Sequence, residues 1–550
     1  MMAAPRTAPT ARARDETSID LLLTSSALHP RRVQSGFAML EAGSVRTTAY
    51  SNIIFKNFID AAIAGICFWA FGYAIAYGNG NDNGDQEKFW GVGDYFLSDL
   101  GEDRKFASYE NWFFQYTFAA TAATIVSGCI AERAKLMGYV AISTVLTTFT
   151  YPVVVHWVWD SHGWLSAFNE DARKELGYGV IDFAGSGVVH MVGGLAGLVG
   201  AAVIGGRVIF RENGTYYNPM FEKKDGTKHA FFGIKARLLS AYLPLEEQVE
   251  KIAPSSRLYA ALGTGILWFG WYGFNCGSAL GVSEVSARVA VTTTLGASGG
   301  IVTGFIFGFF KDLTFDPVNG LNGALAGLVA ITAGCSVVEP GSALAIGAIG
   351  GIVWVVASHL IYVCGIDDPL TGSAVHGITG IWGLISVAIF AEDETIMAAG
   401  YALPDGYTGT DKTAEHFGKR LGAQLLAAAV IGAWTIINAL LMFAPLRILD
   451  IIVLKWVKVD GTTTCGPKWA KAIAFTLGLR IHPKTDQIGI DVMEHGANPK
   501  EVASLIERSP TLKPSSSAKG PQMPELDLES AAGPPLPKGE VELVTVTAEA

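Results

Sequence analysis

Charge is what this sequence has least of. Asp, Glu, Lys and Arg make up 16% of its 550 residues, against about a quarter in soluble domains, while half of the chain is hydrophobic. That balance excludes a water-soluble globular fold and leaves a polytopic membrane protein. The six cysteines fall within apolar runs or on the side expected to be cytoplasmic, which excludes an external disulfide framework. Basic excess is missing too: the net charge of -10 comes from acidic outer segments and tail, and nothing in it suits nucleic acid. No nucleophile and base pair, phosphate loop or complete metal shell can be assembled, so enzymatic chemistry, a metal and a cofactor are all unexpected. The first 20 residues hold several arginines but no apolar stretch with a cleavage site, so membrane insertion is expected to rely on the spans themselves.

What is there is a series of long apolar runs. Ten runs of about 20 residues stand out, at 53–78, 111–130, 136–158, 182–206, 257–279, 289–310, 320–338, 342–364, 371–391 and 421–446. An eleventh, 19–40, is interrupted by His29, Pro30, Arg31 and Arg32, yet the charge pattern asks for it. Connections 79–110, 159–181 and 392–418 are acidic, whereas 131–135 and the long 207–256 segment, with Arg207, Arg211, Lys223 and Lys224, are basic. By the positive-inside rule the first set faces out and the second faces the cytoplasm. Eleven spans then put the N-terminus outside and the C-terminus in the cytoplasm, with the plasma membrane as the expected location. The chain divides into an N-terminal segment (1–18), a transmembrane domain (19–450), a cytoplasmic C-terminal region (451–508) and a tail (509–550). That tail is too rich in Pro, Ser and charge to fold and is expected to be disordered.

Two of the runs repeat one another. Asp182, Val189, His190, Gly194 and Gly197 recur at the same spacing as Asp368, Val375, His376, Gly380 and Gly383. In an eleven-span count these are the fifth and tenth spans, entering the membrane from opposite sides. The fold class expected is therefore an all-α polytopic membrane protein, eleven transmembrane helices with two inverted five-helix repeats. At ~1.5 Å per residue, eight residues carry each histidine ~12 Å inward from its aspartate, near the middle of a core ~30 Å thick. Either histidine alone reads as a core residue bonded to a neighbouring helix. The symmetry brings the two together, where their imidazoles can share a hydrogen bond and line a passage. For Asp182 and Asp368 the simplest role is helix N-capping, with a lesser attraction for cations. The glycine runs read as close helix packing.

With "DFAGSGVVH", "DDPLTGSAVHGITG", "WYGFNCGSA", "NGALAGLVAITAGC", "FQYTFAATAATIVSGCIAERAK" and "GFAMLEAGSVR" in view, the sequence resembles the ammonium transporter family (Amt/Mep/Rh) over roughly 36–496. The resemblance implies a homotrimer with one narrow pore per subunit, and His190 and His376 match the family's twin histidines. It implies that Trp159 and Ser278, with Asp182 nearby, recruit ammonium, that Phe118 and Phe274 close the pore below with Trp271 beside them, and that Asp368 is structural. Without it, those rings would read as packing or interfacial aromatics. The function implied is conduction of ammonium or ammonia through a hydrophobic pore, with membrane lipid around it and a cytoplasmic regulator able to act through the C-terminal tail. Met493 occupies the place in "GIDVMEHG" where plant relatives carry a phosphorylatable threonine. Two other readings stay open: an ammonium sensor with little transport, and an electroneutral gas channel of Rh type, against which Trp159 and Ser278 argue.

Overall fold

Each of the apolar runs is helical over most of its described length. The computed structural model of the chain describes residues 33–78, 89–98, 107–207, 209–210, 216–217, 254–403, 414–456, 478–481 and 490–491. Its principal helices are α1 (33–44), α2 (Thr47–Tyr77), α3 (Ala107–Cys129), α4 (Leu136–Trp159), α5 (Ser186–Ile204), α6 (Arg257–Gly277), α7 (Glu284–Asp312), α8 (Pro317–Thr332), α9 (Pro340–Val363), α10 (Ser373–Phe390) and α11 (Ala414–Trp456). The one paired strand segment among the described residues is a two-residue ribbon, Ile209–Phe210 against Tyr216–Tyr217.

Seven of these helices, α2, α4, α5, α7, α9, α10 and α11, are long and apolar enough to cross a membrane. Three of the other four miss that standard for readable reasons. Helix α3 carries Gln115, Thr117, Thr121, Thr124 and Ser127, but neighbouring helices sheathe it, so these groups meet protein and not lipid. Helix α8 is apolar but only 16 residues long. The α1 helix covers the last part of the run expected at 19–40; residues 19–32, with the His29 to Arg32 interruption, lie outside the described residues. Exposed apolar side chains include Val302, Ile306, Phe307 and Phe310 on α7, Val356 and Leu360 on α9, and Ile437 and Leu441 on α11.

The basic connections gather at one end of the bundle. Arg207 pairs with Glu132 at 2.7 Å and with Asp367 at 2.9 Å, Arg46 pairs with Glu132, and Arg133 donates to the Asp367 carbonyl. Burial alone would raise the Glu132 and Asp367 carboxyls, but Arg46 and Arg207 at the first and Arg207 and Arg133 at the second hold both below the usual range. Part of the C-terminal region binds this face: Arg480 donates to the Ile204 and Gly206 carbonyls, each at 2.8 Å, Ile481 N to Arg133 O at 2.9 Å, and Asp491 accepts from Ser51 N and Asn52 N at 2.9 and 2.7 Å. Met493 lies outside the described residues.

Candidate functional site

Helices α5 and α10 depart from regular geometry at the same place. Each opens with a π-helical turn, Ser186–Met191 and Ser373–Ile378, and each turn carries its histidine. Such turns widen the helix and re-aim a side chain, and they recur at functional sites. Gly185, at φ +100, bends the chain into α5 so that four consecutive N–H groups converge on one carboxylate. Asp182 Oδ1 accepts Gly185 N and Ser186 N at 3.1 and 2.8 Å, and Oδ2 accepts Gly187 N and Val188 N, both at 2.9 Å. Asp182 therefore precedes the helix that the sequence begins at that residue. Its backbone carbonyl, not its carboxylate, meets the Trp159 indole N–H, at 2.7 Å.

The two histidine helices cross where side chains are absent. A Cβ on Gly194 would fall 2.1 Å from Gly377 N, so the backbones touch there. This brings His190 Nδ1 and His376 Nδ1 to 3.2 Å, with both residues buried and ring planes 20° apart. One ring must donate and the other accept. Among the described residues neither Nε2 is hydrogen-bonded. Trp271 lies 13° from parallel to His190 at 4.9 Å between centroids, and its N–H donates to the Thr332 hydroxyl at 2.8 Å, which fixes the plane on which the imidazole rests. The resemblance sets Trp271 beside the phenylalanines; the ring it stacks on is that of His190.

On the side of the acidic connections, a cavity of about 500 Å³ is bordered by Trp159, Ser278, Phe118, Gln115, Tyr77 and Tyr401, among others. Ser278 donates its hydroxyl proton to Phe274 O at 2.8 Å, which leaves its oxygen as an acceptor. Phe118 stacks on Phe274 with centroids 4.7 Å apart and planes 29° apart, and meets Trp159 edge to face at 5.4 Å. Both phenylalanines are buried, and only Phe118 of the pair borders the cavity. Toward the basic end, a cavity of about 20 Å³ is bordered by His376, Phe37, Glu41, Leu325 and Leu370. The acid-side cavity thus borders one of the two stacked rings, Phe118, and the second cavity borders one of the paired imidazoles, His376.

Some neighbours of this site were missed in sequence. Asn111, Gln115 and Phe118 share one face of α3 by their spacing of four and three, a signal that periodicity offers. Gln115 Oε1 and the Tyr77 hydroxyl are buried with no hydrogen-bond partner among the described residues. Phe37, 6.0 Å from His376 between ring centres, gives no comparable signal, since it arrives from a distant helix. Asp368 caps α10 more sparingly than Asp182 caps α5, accepting Ser373 N at 2.7 Å. A fully buried third histidine, His156, bonds the Ala76 carbonyl at 3.0 Å and is a core residue.

A family model described as Ammonium Transporter Family matches residues 21–222 and 234–462. Ammonium transporter Amt2 of Archaeoglobus fulgidus is 34% identical over 466 residues, which span 84% of this chain and 84% of that one. Ammonium transporter 1 member 1 of Arabidopsis thaliana is 35% identical over 470 residues, 83% of this chain and 80% of its own. Among solved structures, one named Sensor Amt Protein superimposes with a TM-score of 0.67 at 28% identity, over 88% of this chain and 99% of that chain. Mep2 of Candida albicans superimposes with a TM-score of 0.64 at 23% identity, over 81% of this chain and 87% of its own, a likeness of fold.

Proposed function

Because the chain belongs to the ammonium transporter family, a family of multi-pass, non-enzymatic membrane transport proteins, we propose that it conducts ammonium through the series of parts that ends at His190 and His376. Ammonium enters the acid-side cavity, where the Trp159 ring and the Ser278 oxygen replace part of its water. Asp182 acts there at one remove, holding Trp159 through its backbone carbonyl. The ion yields its proton at the Phe118 and Phe274 rings, whose apolar stack resists a hydrated ion, and ammonia passes along the histidines. Potassium has no proton to yield and is refused.

The single observation that carries this reading is the 3.2 Å contact between two buried imidazoles brought together from separate helices, with Trp271 stacked on one of them. A buried pair whose rings, among the described residues, hydrogen-bond only each other is suited to a neutral lumen and to relaying a proton. The matching turns of α5 and α10 support two inverted five-helix repeats and eleven spans. The acidic and basic ends support an external N-terminus, a cytoplasmic C-terminus and residence in the plasma membrane. Homotrimer assembly and a regulator acting through the C-terminal region complete the proposal, Arg480 and Asp491 providing a physical link from that region to α2 and α5.

A sensor that binds ammonium with little flux is the second reading, favoured by the likeness to the structure named Sensor Amt Protein. Uptake of labelled methylammonium by a transporter-deficient yeast separates the two. Concentrative or rapid uptake is the expected result; growth-neutral expression with no uptake would leave the sensor.

A further inference from the structure

A cluster of buried ionisable groups stands beside the histidine pair and has no part in the conduction scheme above. Helix α1 presses Glu41, 1% exposed, against α2 and α3. Its Oε2 accepts Asn57 Nδ2 at 2.7 Å, and the Ser127 hydroxyl reaches the two carboxylate oxygens at 3.0 and 3.1 Å. Nearby on α2, Asp60 accepts from the Tyr139 hydroxyl at 2.6 Å and from Ser143 and Thr124 at 3.2 Å each. Lys56 donates to the Ala134 carbonyl at 2.7 Å and lies 5.7 Å from the centre of the Tyr139 ring. Lys56, Asp60, Tyr139 and Cys129 are the titratable groups whose charge reaches Glu41.

Two carboxyls and one ammonium group make an unbalanced set. With every member buried inside a membrane protein, full ionisation would leave an uncompensated negative charge, which is costly, so the set favours holding one further proton or cation. Glu41 is the carboxyl of the set that borders a cavity, and that cavity is the one also bordered by His376. Apart from Asn322 and His376 the wall is apolar, with Leu325, Leu370 and Val375, which disfavours an ion with no counter-charge and leaves Glu41 as its one carboxylate.

We propose that Glu41 is the group that returns the proton to ammonia at the basic end of the passage, a step that rests on the conduction reading. Ammonia arriving from the histidine pair takes the carboxyl proton with its lone pair: the O–H bond of Glu41 breaks, an N–H bond forms, and ammonium stands beside a carboxylate. Asn57 and Ser127 donate to that carboxylate and hold it until His376, protonated through His190 by the proton given up at the rings, restores it. One ammonium enters, one leaves, and no other reactant is required.

Infrared difference spectra of the purified protein, with and without ammonium, test this independently of flux. The wild type is expected to show a protonated-carboxyl band that ammonium converts to a carboxylate band, and Glu41→Gln should lack both. Ser127→Ala, which removes the hydroxyl that reaches both carboxylate oxygens, should shift that band, and it serves if the glutamine variant fails to fold. In proteoliposomes Glu41→Gln should carry about 100-fold less ammonium current, as loss of a proton-transfer group does. Wild-type current in Glu41→Gln, or an ammonium-sensitive carboxyl band that survives in it, would overturn the proposal. A wild type that carries no current would remove the conduction reading, whereas the infrared bands would still decide for or against Glu41.

Discussion

Helices α5 and α10 carry one sequence pattern, but their entrances are finished differently. At the acid end, Asp182 is buried and takes four backbone N–H groups, two on each oxygen. At the basic end, Asp368 takes one, from Ser373, and its Oδ1 is buried with no partner among the described residues. The neighbouring Asp367 does the work there, pairing with Arg207, which in turn holds Glu132. The repeated residues therefore specify the turn and the depth of each histidine, while surrounding loops decide how each entrance is closed. One end is a completed cap; the other is part of a charged platform that also receives the C-terminal region through Arg480 and Arg133.

The largest expected consequence is at the completed cap. Asp182→Ala strands four buried donors at once, and at about 1 kcal/mol or more per donor the loss is about 4 kcal/mol or greater. The equivalent Asp368→Ala removes one cap bond and should cost about 1 kcal/mol. Thermal unfolding in detergent compares them, and equal losses would break the contrast between the two entrances. Next, Arg207→Ala leaves Glu132 and Asp367 without their shared cation and should cost about 3 kcal/mol, with release of the C-terminal region detectable by proteolysis. A smaller effect is expected for Gly194→Ala, whose methyl must displace Gly377: about 1 to 3 kcal/mol, with the imidazoles pushed apart in a structure of the variant.

The smallest effect concerns pH. Glu132 and Asp367 both ionise more readily when folded than when unfolded. Their contribution is complete above the ordinary carboxylate range and is lost as pH falls through the lowered folded values. Stability measured downward from neutral pH should therefore decline in wild type, and Arg207→Ala should flatten that decline. An unchanged slope in the variant would remove the platform from the comparison.

Much of this was readable because membrane burial is a strong, local signal. Each of the ten apolar runs overlaps a described helix, since a run of that length has no cheaper way to satisfy its backbone in lipid. The meeting of His190 and His376 was readable from the repeat and the rise per residue. The π-turns were not, because a one-residue widening leaves the apolar pattern intact. Unequal capping was also hidden: the two aspartates have the same flanking pattern, and the Arg207 platform joins residues far apart in the chain. Trp271 sits three residues before Phe274, a spacing that does not say which neighbour it stacks on. The Glu41 cluster escaped because Glu41, Lys56 and Asp60 lie far from one another in sequence or on one helix without a visible partner, and only the packing buries them together.

The central claim is that the paired imidazoles line the route of ammonium. Its most direct test is the current driven by an ammonium gradient across proteoliposomes, with potassium as competitor, for wild type, His190→Ala, His376→Ala and the double variant. The account predicts a potassium-insensitive ammonium current in wild type, and a loss of ammonium current or a gain of potassium current in every variant. Ammonium currents equal to wild type, still blind to potassium, in all three variants would contradict it.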